Sequence, residues 1–234
     1  MPLSTRDDSS HFISLSDIMT ALMLVFMFIS VAMIMQNQQD QKNVQHAKEI
    51  TKNYEEGKKT LCRELNEDFK NDLANWNAEI KCDKLSIYFD DANVNFSTGS
   101  AELQPEFKAH LAEFFPRYVN LIMQNKDNIQ EVRIEGYTDS TGKYGQTKRE
   151  RYFYNMKLSQ DRARNVLEYC LTLPNFNDRE FDELKELITA NGLSFSHIRT
   201  DSNKNENRDA SRRVEFRILT NADAQMERIL NHDK

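Results

Sequence analysis

Residues 18–35 form an uninterrupted run without charge in which Thr20 and Ser30 are the only polar side chains. At about 1.5 Å per residue the run reaches roughly 27 Å as a helix, close to the hydrocarbon thickness of a bilayer. A core helix of a water-soluble domain carries a polar stripe every third or fourth residue, and no such stripe can be drawn here. Residues 12–35 therefore predict a single membrane span. A cleaved signal peptide fits poorly: the run exceeds the usual apolar length of about 7–15 residues, the preceding MPLSTRDDSSH is not basic, and no A-x-A-like site follows. Asp17 stands at the front of the span. Either it caps the helix, facing the positive end of the dipole near the headgroups, or it lies in the bilayer. There a carboxylate costs about 2.5–3.5 kcal/mol and marks a functional group. Composition alone leaves both readings open.

A chain of 234 residues with one span has room for one ordinary globular domain and a connector. Its net charge of −6 gives no sign of direct nucleic-acid binding. Cys62, Cys82 and Cys170 are not spaced as a metal site, and their odd number permits at most one intramolecular disulfide, whose partners the sequence does not choose. No Ser or Cys nucleophile stands in a recognisable setting with a base, and His11, His46, His110, His197 and His232 are scattered. The chain is not expected to be an enzyme or to hold a metal. Arg6 alone precedes the span while Lys42, Lys48 and Lys52 follow it, a weak bias toward an outside N-terminus.

Beyond Met35 the chain turns polar (QNQQDQKNVQ), and from about His46 apolar or small positions recur at steps of three and four: Ile50, Tyr54, Gly57, Leu61, Leu65, Phe69, Leu73, Trp76, Ile80. This spacing predicts a stalk helix that pairs with a copy of itself or docks on a neighbour, or else a solvated linker helix. Residues 84–89 (KLSIYF) read as a strand, and Pro105 opens a helix through Ile122 that Pro116 should kink or break. EVRIEG (131–136) alternates as a half-buried strand. In 158–173 Ser159 is a candidate N-cap, Ala163, Val166, Leu167 and Cys170 share one helical face, and Pro174 is the stop. A short helix follows at 181–188, RVEFRIL (213–219) reads as the last strand, and the tail as a charged helix. The expected division is a short N-terminus (1–11), the span (12–35), a linker or stalk (36–83), an α/β domain (84–220) and the tail (221–234). The domain should be an α+β sandwich with a small mixed sheet.

Four pieces occur in order: EGYTDSTG (135–142), Asn155, LSQDRA (158–163) and SRRVEF (211–216). Together they resemble the peptidoglycan-binding domain shared by OmpA and the flagellar stator subunit MotB, whose pattern runs G-H-T-D-x-x-G, N, L-S-x-x-R-A, N-R-R-V-E. The resemblance covers 84–220 and implies an OmpA-like periplasmic domain in which an aspartate and an arginine clasp the diaminopimelate side group of the peptidoglycan stem peptide. It maps those roles onto Asp139, for the ammonium, and Arg162, for the carboxylate, with Thr138, Asn155, Leu158 and Arg213 in supporting positions. On the residues alone, Asp139 closing an Asx-type turn and Arg162 on a solvated helix face is the simpler reading. Tyr137 replaces the family's His and Ser211 its Asn. The insertion KYGQTKRERYFY (143–154) is expected as a lengthened loop with locally packed aromatics, able at most to touch glycan, anionic polymer or a partner chain.

The span, with its D-x-M-T-x-L-M run from Asp17 to Met23, followed by a linker and such a domain, resembles the MotB class of stator subunits. Its S-L-S-D context and short non-basic N-terminus are most similar to the ZorB family of Zorya anti-phage systems. This likeness implies that Asp17 carries a translocated proton or sodium ion, with Ser16 and Thr20 supporting the path and no other cofactor. It also implies a homodimer, a multi-span ring partner of the MotA/ZorA type, and peptidoglycan as the anchor. The N-terminus would be cytoplasmic and the domain periplasmic, against the lysine bias. A flagellar-type stator, or a passive anchor from inner membrane to peptidoglycan in which Asp17 is a cap, are the alternatives.

Overall fold

The computed structural model describes residues 8–90, 95–97 and 99–221, with side chains from Ile18 onward except at 46, 47 and 53. The expected tail helix lies outside the described residues. The chain divides into two compact units, Met1–Thr51 and Lys52–Lys234. Helix α1 (Asp8–Phe69) contributes to both.

In the first unit the apolar run is helical throughout, and every residue from Ile18 to Met35 is exposed. Ile18, Met23, Phe26 and Phe28 each expose more than half of their surface. A helix long and apolar enough to cross a membrane, with nothing in its own unit covering it, has the form expected of a span. Because α1 begins at Asp8, Asp17 lies more than two turns inside the helix, which removes the cap reading.

The second unit holds a five-stranded sheet of order β1-β2-β5-β3-β4. Its strands are β1 (Ala78–Lys81), β2 (Ser86–Phe89), β3 (Ile129–Tyr137), β4 (Ile188–Gly192) and β5 (Arg213–Thr220). Only the β3–β4 pair is parallel, so the sheet is mixed as expected. Helices α2 (Pro105–Gln124), α3 (Lys148–Leu171), α4 (Asp178–Leu187) and the short α5 (Arg208–Ser211) complete the α+β domain. Alternation in β5 sends Val214, Phe216 and Ile218 into the core, where Phe216 meets Phe114 of α2 at 5.0 Å between ring centroids.

Four sequence expectations change. The stalk helix ends at Phe69 rather than near Ile80, which lies in β1. Its last apolar positions, Leu61, Leu65 and Phe69, are buried in the domain's own core, with Phe69 against Phe114 at 5.2 Å. The end of the seam is therefore satisfied within the chain, whereas Ile50 and Tyr54 are half-buried and Gly57 is exposed. A disulfide joins Cys62 to Cys82 across a Cα–Cα distance of 5.3 Å and ties this helix end to the turn after β1, leaving Cys170 buried as a free thiol. Pro116 does not break α2, which runs unbroken from Pro105 to Gln124. Finally, the insertion is largely helical. Thr147 and Glu150 form a capping box that starts α3 eleven residues before Leu158's segment reaches Ser159, so Ser159 is buried mid-helix instead of capping it. Ser159 donates to the Met156 carbonyl and accepts from the Ser194 N–H.

Candidate functional site

Topology assembles the site. Because β3 and β5 are antiparallel, with Tyr137 opposite Arg213, the residues just past the end of β3 lie beside those just before β5. Thr138 and Asp139 are thereby brought alongside Arg212. The third wall is α3. A Cβ on Gly136 would sit 2.3 Å from the Ser159 carbonyl oxygen, so only glycine lets the strand approach the helix this closely. Arg162, one turn beyond Ser159, is then carried to the same place.

The result is a cleft of about 220 Å³. Thr138, Asp139, Asn155, Leu158 and Arg162, all named from the sequence, line it together. Asp139 is buried, and its Oδ1 accepts from the Thr141 N–H (2.8 Å) and the Thr141 hydroxyl. Its Oδ2 accepts from Arg212 Nη1 at 2.8 Å. Burial alone would raise its pKa, but the hydrogen bonds from Thr141 and Arg212 outweigh it and hold the carboxyl below its ordinary value. Asn155 donates to the Thr141 carbonyl at 2.6 Å and so fixes the loop that presents Asp139. The Thr138 hydroxyl is buried and has no hydrogen-bond partner among the described residues.

Arg162 is only 5% exposed. Its Nε donates to the Ser100 carbonyl (2.9 Å), and its guanidinium lies 4.7 Å from the centroid of the Phe96 ring. Burial, reinforced by repulsion from Arg212, lowers its pKa to about 10, so it remains a cation at neutral pH. No ion pair to Arg162 is present among the described residues; Asp139, which shares the cleft, is bonded to Arg212 instead.

Arg212 is the residue that sequence reasoning passed over, and it lines the cleft. Its neighbour Arg213 does not. Arg213 is buried against the Tyr137 ring (3.7 Å) with Glu215 at 3.6 Å, and donates to the carbonyls of His197 and Ser211. Ser211, in the place of the family's Asn, accepts from the Arg199 N–H at 2.9 Å. Tyr137, in the place of the His, donates to Glu135 at 2.6 Å. In the other unit, Ser16 and Asp17 lie within α1 but their side chains are outside the described set, and Thr20 is exposed.

A model of the OmpA family matches residues 95–212, which takes in the whole cleft and leaves out α1, β1, β2 and β5. Zorya protein ZorB from Escherichia coli (strain Crooks) is 38% identical over 224 residues, 95% of this chain and 93% of that protein. A second Zorya protein ZorB, from Escherichia coli O139:H28, is 27% identical over 224 residues, 92% of this chain and 82% of that protein. Among solved structures, a MotB-like protein from Desulfovibrio vulgaris aligns with a TM-score of 0.49 at 24% identity, over 70% of this chain and 91% of that one. With a relative at 38% identity along nearly its whole length and an OmpA match over the cleft, the chain belongs to the ZorB family and carries an OmpA-family domain.

Proposed function

We propose that this chain is the wall-anchored B subunit of an ion-driven rotary motor in the bacterial inner membrane, serving anti-phage defence. The observation that carries the anchoring half is Arg162, a buried cation in an open cleft with no ion-paired carboxylate among the described residues, since Asp139, whose charge reaches it, is bonded to Arg212. Burying an unpaired guanidinium is costly, and a ligand carboxylate offsets that cost with a charge-assisted, bidentate contact. Asp139 beside it offers a carboxylate to an ammonium. A group bearing both charges, such as the free end of diaminopimelate in the peptidoglycan stem peptide, matches the pair. Thr141 and Arg212 hold Asp139 ionised, and the unpartnered Thr138 hydroxyl supplies a further hydrogen bond.

The disulfide supports a periplasmic domain and therefore a cytoplasmic N-terminus, because such bonds persist in oxidising compartments. This argument outweighs a lysine bias of a few residues. In the membrane, Asp17 of each of two copies faces a multi-span ring partner and takes up and releases a proton or sodium ion. Passage of the ion down the membrane potential releases about 2.3 kcal/mol per charge per 100 mV. Pinning the domain to the wall lets that free energy turn the ring.

The test is Asp17→Asn in the intact system. Expression and co-purification with the ring partner should be unchanged while protection against phage is lost. Full protection by this variant contradicts ion transport through Asp17 and leaves a passive tie between membrane and wall.

A further inference from the structure

The cleft carries more positive charge than a zwitterionic ligand can use. Arg212 is committed to Asp139 and also pairs with Asp209, and Arg162 awaits one carboxylate. A third cation, Lys143, lines the same cleft from the loop between β3 and α3. Its ammonium lies 5.1 Å from the centroid of the Tyr154 ring, another lining residue, and makes no ion pair among the described residues. The loop fixes the backbone from which its exposed side chain extends: the Lys143 N–H donates to Gln146 Oε1 at 2.7 Å, the Gln146 N–H returns to the Lys143 carbonyl at 3.3 Å, and Asn155 holds Thr141.

We infer that Lys143 and Tyr154 form a second anion subsite, which takes a free carboxylate on the residue adjoining the zwitterionic group. The inference rests on the anchoring function proposed above and deepens it. In a wall stem peptide the adjoining carboxylate is that of the γ-linked glutamate, which exists either free or amidated. The insertion that sets this chain apart from the family pattern supplies both residues of the subsite, so it acts as a selectivity device. The cleft reads the charge state of the neighbouring residue as well as the diaminopimelate end.

The experiment measures binding of the full-length protein in detergent to two synthetic tripeptides, alanyl-γ-glutamyl-diaminopimelate with the glutamyl carboxylate free or amidated. Wild type should favour the free form by about fivefold, as a partly exposed ion pair allows, with the preference shrinking as salt rises. Lys143→Gln should lose the preference by weakening only the free form, and Lys143→Arg should keep it. Equal binding of both peptides by wild type, or a preference that survives in Lys143→Gln, overturns the second subsite alone. Failure of wild type to bind either peptide overturns the anchoring function and the subsite with it.

Discussion

Arg162 and Arg213 are both buried and both stacked on an aromatic ring, yet they sit in opposite electrostatic settings. Arg213 has Glu215 at 3.6 Å, and Glu215 faces Glu135 across the β3–β5 ladder. Arg162 has Phe96 and a backbone carbonyl, and no ion-paired carboxylate among the described residues. A buried charge is tolerated when something balances it. For Arg213 the fold supplies the balance, so its work is structural. For Arg162 the fold supplies only the Coulombic pull of Asp139, which is itself bonded to Arg212, and in the proposed function the ligand carboxylate brings the rest of the balance.

Substitution should separate the two regions most strongly at Arg213. Arg213→Met leaves Glu215 and Glu135 facing each other in the interior without their cation, and should cost about 3–5 kcal/mol in urea unfolding. Arg162→Met, by contrast, should change stability by less than about 1 kcal/mol, because the lost contacts to Ser100 and Phe96 are offset by removing a buried charge that has no ion pair. Similar losses for both would erase the distinction. Next in size, the double variant Cys62→Ser with Cys82→Ser should lose about 3 kcal/mol from opening a loop with a sequence separation of 20, while wall binding is retained. Loss of binding in that variant would mean that the cleft depends on the helix-end clip.

The smallest effects are those of pH, and they should have opposite signs in the two regions. The Asp139 carboxyl is lowered in the folded protein, so its contribution is present above its unfolded pKa of about 3.9 and is lost as pH falls through the folded value. For Glu215, burial and then the charge of Glu135 raise the pKa. Its contribution is present below about 4.3 and is lost as pH rises through the raised folded value. In pH-resolved unfolding, Asp139→Asn should flatten the acid-side loss and Glu215→Gln the decline above about pH 4.3. Identical slopes in both variants would contradict the assignment.

Much of this was legible in the chain. Clean alternation in EVRIEG and RVEFRIL located β3 and β5, and of the four residues expected to share a face of α3, Ala163, Val166 and Cys170 are buried and Leu167 is half-buried against the core. The motif order led to five residues that share one cleft. What escaped has physical reasons. Ile80 fits a helical step of four from Trp76 as well as it fits a strand, so a strand of only four residues could not be told from the end of a helix. ITANG carries Asn and Gly and is a strand only because β3 pairs with it in parallel. The start of α3 did announce itself: Thr147 and Glu150 have capping-box spacing, which was available to find a helix inside the insertion. Arg212 was also recoverable. Two-residue alternation through RVEFRIL groups Arg213 with Glu215, which leaves Arg212 as the arginine free to turn elsewhere.

The most direct test is the affinity of the full-length protein for the diaminopimelate tripeptide with its glutamyl carboxylate free, compared among wild type, Arg162→Met and Asp139→Asn at equal folded fraction. Each substitution removes a charge-assisted contact, so each should weaken binding at least about tenfold. Undiminished binding by Arg162→Met would contradict the claim that its missing counter-charge is the ligand.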